Sequence, residues 1–244
     1  MNIARPDRRR FLQLAGIAAI VQTLPAGVIA AEAAPALRIG IIGSGRVGSA
    51  LGTSWASAGH TVMFSSLDIE HDKKLAAGIG ANARAGTPRE AATFGEILLI
   101  SVPYGALPQL GKDLGALLKG KMVIDTCNPF PNRDGEIANW AREKGAGVAS
   151  AELLPGARIV RAFNAVGAAR MAEAAQRQGP RSGMPMAGDD AAAIAVATRL
   201  VRDAGFEPVL VGTLAAMGKH LMPGTPLAGE RSPEDIRKIA ATLN

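Results

Sequence analysis

Leu37-Arg38-Ile39-Gly40-Ile41-Ile42-Gly43-Ser44-Gly45-Arg46-Val47-Gly48 is the stretch that decides the fold. Residues 37–42 form a short, continuous apolar run of the kind that makes a strand buried on both faces. Gly43, Gly45 and Gly48 follow at G-x-G-x-x-G spacing, and a helical pattern then continues to about Ala58. Between a strand and a helix the three glycines have separate tasks. Gly43 permits a tight turn, Gly45 lets the backbone approach a pyrophosphate, and Gly48 allows helix and strand to pack closely. The unpaired N–H groups at the start of the helix favour an anion there. The reading predicts a dinucleotide site built on Gly43, Ser44, Gly45, Arg46, Val47 and Gly48.

The alternation continues outward. Strand-like runs stand at 61–65, 97–102, 122–125 and 158–163, with a weaker one at 83–85. Helical runs are expected near 69–77, 104–118, 134–145 and 167–177. The last third adds a strand at 185–188, a helix at 189–204 and a strand at 206–211, then a Pro/Gly-rich stretch at 222–233 and a short terminal helix. Strands alternating with helices predict an α/β, doubly wound, mostly parallel Rossmann-like sheet. Residues 36–180 are expected to form the dinucleotide-binding domain. Residues 181–244 would be a small C-terminal α/β extension shaping the substrate pocket.

Composition agrees with this class. The 244 residues are 48% hydrophobic and 20% charged, enough to bury a core and too polar for a polytopic membrane protein. Gly is abundant at 29 residues, which suits short βα turns. Aromatics at 4% are too few for a stacking platform for single-stranded nucleic acid.

Part of the formal charge of +6 lies at the start, where Arg5, Arg8, Arg9 and Arg10 precede an apolar stretch running to about Ala31. A small-residue run at 30–34 then offers A-x-A cleavage sites. The order Asp7-Arg8-Arg9-Arg10-Phe11-Leu12-Gln13 resembles a twin-arginine export signal. Residues 1–33 are therefore expected to engage the twin-arginine translocase, and the protein to be periplasmic or exported. An uncleaved membrane anchor is the alternative. Past Ala33 the balance is 23 basic to 19 acidic residues with no basic stripe, so no nucleic-acid partner is expected.

The end of the second strand selects the dinucleotide. An NAD site places Asp or Glu there for the ribose 2′-hydroxyl. Phe64-Ser65-Ser66-Leu67-Asp68 puts two hydroxyls there instead, which favours NADP over NAD, and Ser65 and Ser66 join the cofactor-binding set. Arg46, Lys73 and Lys74 are the nearby cations, while Asp68, slightly late, keeps NAD open. Lone Cys127 cannot pair internally, and no Cys/His cluster has metal-ligand spacing. Cys127 reads as a buried small residue, His220 as a solvated or capping group, and Tyr104 as a helix-start packing residue that could instead border the nicotinamide.

The motifs resemble the NADPH-dependent coenzyme F-420 (deazaflavin) reductases. The resemblance rests on the 43–48 loop, Ala58-Gly59-His60-Thr61-Val62, Ser101-Val102-Pro103, Asp125-Thr126-Cys127-Asn128-Pro129, Arg161-Ala162-Phe163-Asn164-Ala165-Val166-Gly167, Ala187-Gly188-Asp189-Asp190 and Gly205-Phe206-Glu207-Pro208-Val209. It implies hydride exchange between NADP(H) and a deazaflavin, flavin or similar acceptor. Leu67 stands where that family has an Arg on the 2′-phosphate, so another cation should substitute. His220-Leu221-Met222-Pro223 departs from the family near the second-substrate pocket, which leaves the acceptor open.

Such transfer needs no protein acid or base, since the cofactors carry the chemistry, and no catalytic side chain is assigned. Residues after successive parallel strands supply the expected walls: Ser101, Val102 and Pro103, Asn128, and Ala162 and Asn164, with Thr126 beside them. Two other readings remain. One is an exported NADP-binding module without turnover. The other is a small imine or ketone reductase, whose appended helical dimerisation domain the strand-bearing last third suits poorly. A homo-oligomer is compatible with any of these.

Overall fold

The computed structural model describes Met1 and residues 35–243. The expected export signal at 1–33 lies outside the described residues, apart from Met1. From Ala36 onward the chain forms one compact unit.

Its first half winds strands β1 (Arg38–Ile42), β2 (Thr61–Ser65), β3 (Ala83–Ala85), β4 (Ile97–Ile100), β5 (Met122–Asp125) and β6 (Arg158–Arg161) into a parallel sheet. Helices α1 (Arg46–Ser57), α2 (Ile69–Ile79), α3 (Pro88–Phe94), α4 (Leu107–Leu118), α5 (Pro131–Asp134), α6 (Glu136–Lys144) and α7 (Ala146–Leu153) form the crossovers. Then follow α8 (Ala168–Ala174), β7 (Gly183–Gly188), α9 (Ala191–Asp203), β8 (Glu207–Gly212), α10 (Leu214–Met217) and α11 (Pro233–Ala241). The strand order is β3-β2-β1-β4-β5-β6-β7-β8. This is the doubly wound Rossmann arrangement, with two strands added beyond β6.

The central strands are apolar along their whole length because helices cover both sheet faces. Alternate residues serve opposite layers. Ile39, Ile41, Leu99, Ile124 and Val160 pack with Trp55, Phe64 and Leu200 on one side. Ile42, Leu98, Ile100, Val123 and Ile159 pack with Leu107, Leu114 and Leu214 on the other.

Trp55 pins α1 to α9: its indole N–H donates to Leu200 O at 2.8 Å, and its ring meets Phe163 edge-on at 6.2 Å. His60 closes the opposite end of the sheet from the phosphate loop. Its Nδ1 accepts the Leu37 N–H at 3.1 Å, so Nε2 carries the proton and donates to Asp203 at 2.9 Å.

Sequence and structure differ in detail at several elements. Tyr104 opens a short 3-10 turn, Tyr104–Ala106, and α4 begins only at Leu107. The helix expected at 134–145 is α6, and Gly135, whose φ is +61°, separates it from the one-turn α5 that the sequence reading did not give. Helices α3 and α7 occupy stretches to which the sequence reading gave no element. The last third does not turn helical. β7 pairs antiparallel with β6, and β8 pairs parallel with β7, so both strands lengthen the same sheet.

Candidate functional site

Register places the site. Ser65, Ile42, Ile100, Asp125 and Arg161 form one lateral row across β2, β1, β4, β5 and β6. The loops leaving these carboxyl ends therefore open side by side, where ligands bind in sheets of this topology.

The 43–48 loop has the geometry its spacing predicts. Gly43 takes φ +98°, and a methyl there would sit 2.2 Å from Ser101 O. A methyl on Gly48 would lie 2.1 Å from Gly43 O. Gly45 differs, because none of the described residues lies within 4 Å of where its Cβ would be. Its bare backbone faces open space at the start of α1, which has no side-chain cap. Two glycines closed against protein and one left open are what a pyrophosphate cradle requires. The loop is anchored by Gly43 N and Ser44 N, which donate to Ser65 O at 2.8 and 3.1 Å.

An open cavity of about 810 Å³ begins at this loop. Gly43, Gly45, Ser66, Ser101, Val102 and Pro103, all assigned from sequence, line it. Ala106, Leu110 and Leu114 from the α4 side add an apolar wall suited to flat rings. Leu67, Thr87 and Arg89 line it as well.

Other predicted residues fall elsewhere. Gly48, Ser44 and Ser65 are buried behind the loop, and Val47 is half-buried. The Ser65 hydroxyl donates inward to Ile41 O at 2.7 Å. Arg46 is exposed and lines a separate groove between α1 and α8. Lys73 pairs with Glu70 at 2.8 Å. Neither lysine of α2 lines the cavity. Tyr104 is buried away from it, with its hydroxyl on Ser150 Oγ at 3.2 Å and Ala146 O at 3.3 Å. Burial pushes the phenol well above its usual range.

Asn128, Ala162 and Asn164 form a second cluster beyond β5 and β6. Asn128 Nδ2 donates to Asn164 O at 2.9 Å. Asn164 Oδ1 is buried and receives no hydrogen bond from the described residues. Beside it Phe163 holds φ +68°, a left-handed conformation costing a bulky residue about 1–3 kcal/mol. Behind the cluster Arg161 Nη1 donates to Asp125 Oδ2 at 2.6 Å and to Cys127 O at 3.1 Å. Arg161 Nη2 reaches Asn128 Oδ1 at 3.3 Å and Leu221 O at 3.2 Å. One guanidinium thus ties β5, β6, the Asn128 loop and the C-terminal segment together.

Cys127 is buried with its Sγ 3.5 Å from Ile100 O. Burial, with Asp125 adding to it, pushes the thiol well above its ordinary range, so it stays protonated. Burial and the Lys219 charge lower the pKa of His220, which is neutral near pH 7.

Sequence reasoning missed Asp72. Fully buried on α2, it accepts hydrogen bonds from Ser44 Oγ and, at 2.9 Å, from Ser66 Oγ. It missed Arg89 as well, although the capping box of Thr87 and Glu90 that starts α3 was a readable helix signal.

Fold and loop together define a Rossmann-type domain whose first βα turn carries a phosphate-type glycine loop. Residues 38–129 match the family described as NADP oxidoreductase, coenzyme F420-dependent. Rat metalloreductase STEAP3 is 27% identical over 193 residues, which is 78% of this chain and 37% of that protein. The chain thus spans little more than a third of this relative's length. Among solved structures, a hypothetical protein of Sinorhizobium meliloti is 25% identical with a TM-score of 0.69, covering 80% of this chain and 93% of that one. A proposed F420-dependent NADP reductase of Arthrobacter sp. FB24 is 21% identical with a TM-score of 0.63, covering 73% and 86%. The latter likeness is one of fold.

Proposed function

We propose that this protein is an oxidoreductase that binds NADP(H) in the 810 Å³ cavity and exchanges hydride with a deazaflavin, flavin or related ring acceptor. The carrying observation is the open backbone of Gly45 at the mouth of that cavity, between glycines that admit no side chain. The family match over residues 38–129 supports the dinucleotide class. The relatives described as a metalloreductase and an F420-dependent reductase support a reductive direction.

The nicotinamide supplies the hydride when bound. The chain's residues bind and orient. The 43–48 loop offers backbone N–H groups to the pyrophosphate, and Val102 and Pro103 present an apolar surface against which a ring can stack. The Asn128–Asn164 pair, held by Arg161, offers amide groups at the ends of β5 and β6. The strands of the last third argue for this reading over an imine reductase with an all-helical second domain.

We also propose that residues 1–33 direct export by the twin-arginine route, which carries folded protein and so allows the cofactor to travel bound. Mass spectrometry of ligand released from the full chain purified from a periplasmic fraction tests both parts. Stoichiometric NADP is expected. Protein found only in the cytoplasm contradicts export, and protein with no affinity for NADP(H) contradicts the oxidoreductase reading. Stopped-flow transfer to coenzyme F-420, FMN and FAD then selects the acceptor.

A further inference from the structure

We propose that Arg89, on α3, recognises the 2′-phosphate of NADP(H), and that the serines ending β2 do not. The inference rests on the dinucleotide reading above and names the group that gives it NADP selectivity.

A serine hydroxyl has one O–H to donate. Ser44 Oγ donates to Asp72 Oδ1, and Ser66 Oγ lies 2.9 Å from Asp72 Oδ2. Ser66 Oγ also accepts the Asp68 N–H at 3.1 Å, and its alternative acceptor, Asp68 O, is farther away at 3.2 Å. Ser65 Oγ donates to Ile41 O at 2.7 Å. Every serine proton at this end of the cavity already has a place inside the protein.

Turning the hydroxyls outward would strip a buried carboxylate of its donors. Charged acceptors lose more by this than neutral ones, so the cost opposes any gain from a new phosphate contact. The Asp72 charge itself repels a second anion nearby. With these bonds kept, the Ser66 oxygen can still accept a hydrogen bond, as from a ribose hydroxyl, but offers no donor to a phosphate.

A 2′-phosphate at this end must find its donors elsewhere. Among the described residues lining the cavity Arg89 is the one Lys or Arg. It is exposed on α3, in the stretch that leaves β3, where Ala85 lies in register with Phe64 of β2. Among the described residues only its Nη2 is bonded, to Asp113 O at 2.7 Å, which holds the side chain between α3 and α4. The rest of the planar fork remains for two parallel bonds to a phosphate. The two carboxylates in the lining make this cation more necessary. Asp68 caps α2 through the Glu70 and His71 N–H groups, and Asp113 accepts from Gln109 at 2.8 Å. Leu67, fully exposed, offers the adenine an apolar edge where a second guanidinium could have stood.

The test is equilibrium titration of the full chain and its Arg89→Gln, Arg89→Lys and Ser66→Ala variants with NADP⁺ and NAD⁺. Arg89→Gln should weaken NADP⁺ binding by about tenfold or more, the size of a charge-assisted hydrogen bond, and leave NAD⁺ within about twofold. Arg89→Lys should recover part of the preference, because a point charge remains without the fork. Equal losses for both nucleotides, no loss for either, or a loss of preference in Ser66→Ala matching that in Arg89→Gln overturns the assignment. Wild-type protein that binds neither nucleotide overturns the dinucleotide reading itself, a result distinct from the other three.

Discussion

Asp125 and Arg161 are in-register partners on β5 and β6, both fully buried, and their side chains form an ion pair of 2.6 Å. No solvent screens the pair, and the guanidinium also holds the Asn128 side chain and Leu221 O. Removing one partner of such a pair strands a buried charge, which costs about 3–5 kcal/mol. Asp125→Asn and Arg161→Met should each destabilise the fold by that order. The double variant should lose less than the sum, as measured by urea unfolding. Full additivity would show that the two side chains are not coupled.

Gly45→Ala and Gly48→Ala should separate binding from folding. A methyl on Gly45 meets no protein atom, so thermal stability should hold while dinucleotide affinity falls. A methyl on Gly48 collides with Gly43 O and should lower stability as well as binding. Thermal melts with and without NADPH distinguish the pair. A Gly45→Ala protein that binds NADPH as well as wild type would place the pyrophosphate elsewhere.

Glu230 should make stability depend on pH in the acid range. Hydrogen bonds from Arg177 and Ser182 hold its pKa down at about 2, against the ordinary 4.5. Its folded pKa is below its unfolded one, so the stabilisation is complete above pH 4.5 and disappears as pH falls toward 2. The stability gap between wild type and Glu230→Gln should thus be widest near neutrality and close between those values. Because this group is exposed, salt should shrink the gap. Urea midpoints for both proteins across that range measure it. A gap that widens in acid would reverse the sign.

Cys127 should be inert at neutral pH. Its thiol is buried and protonated, whereas the reactive species is the thiolate. Native protein should react with a disulfide reagent far more slowly than urea-unfolded protein. Equal rates would show that the thiol is accessible.

Much of the fold is written locally. The 37–48 stretch announces itself because a continuous apolar run passes into glycines and then into a helical period, and β4 and β5 are likewise short apolar runs closed by turn residues. Helix α7, Ala146–Leu153, is so rich in small residues that it has no polar face to betray a period. It forms because it packs under α4, α6 and α10. The antiparallel direction of β7 has no signature in six residues. At the site, residues that act through backbone were legible, since glycine spacing records them. Asp72 was not, because a carboxylate between His71 and Lys73 on a charged helix reads as solvated surface. Arg89 and the Asp125–Arg161 pair depend on which elements become neighbours, and spacing does not carry that.

On the proposed function, the 43–48 loop holds a nicotinamide dinucleotide in the adjoining cavity. The most direct measurement of this binding is calorimetric titration of the full chain with NADPH, wild type beside Gly45→Ala. The account predicts saturable binding at one site per chain, markedly weakened in the variant while its thermal melt without ligand is unchanged. Absence of NADPH binding to folded wild-type protein, or equal affinity in both, would contradict it.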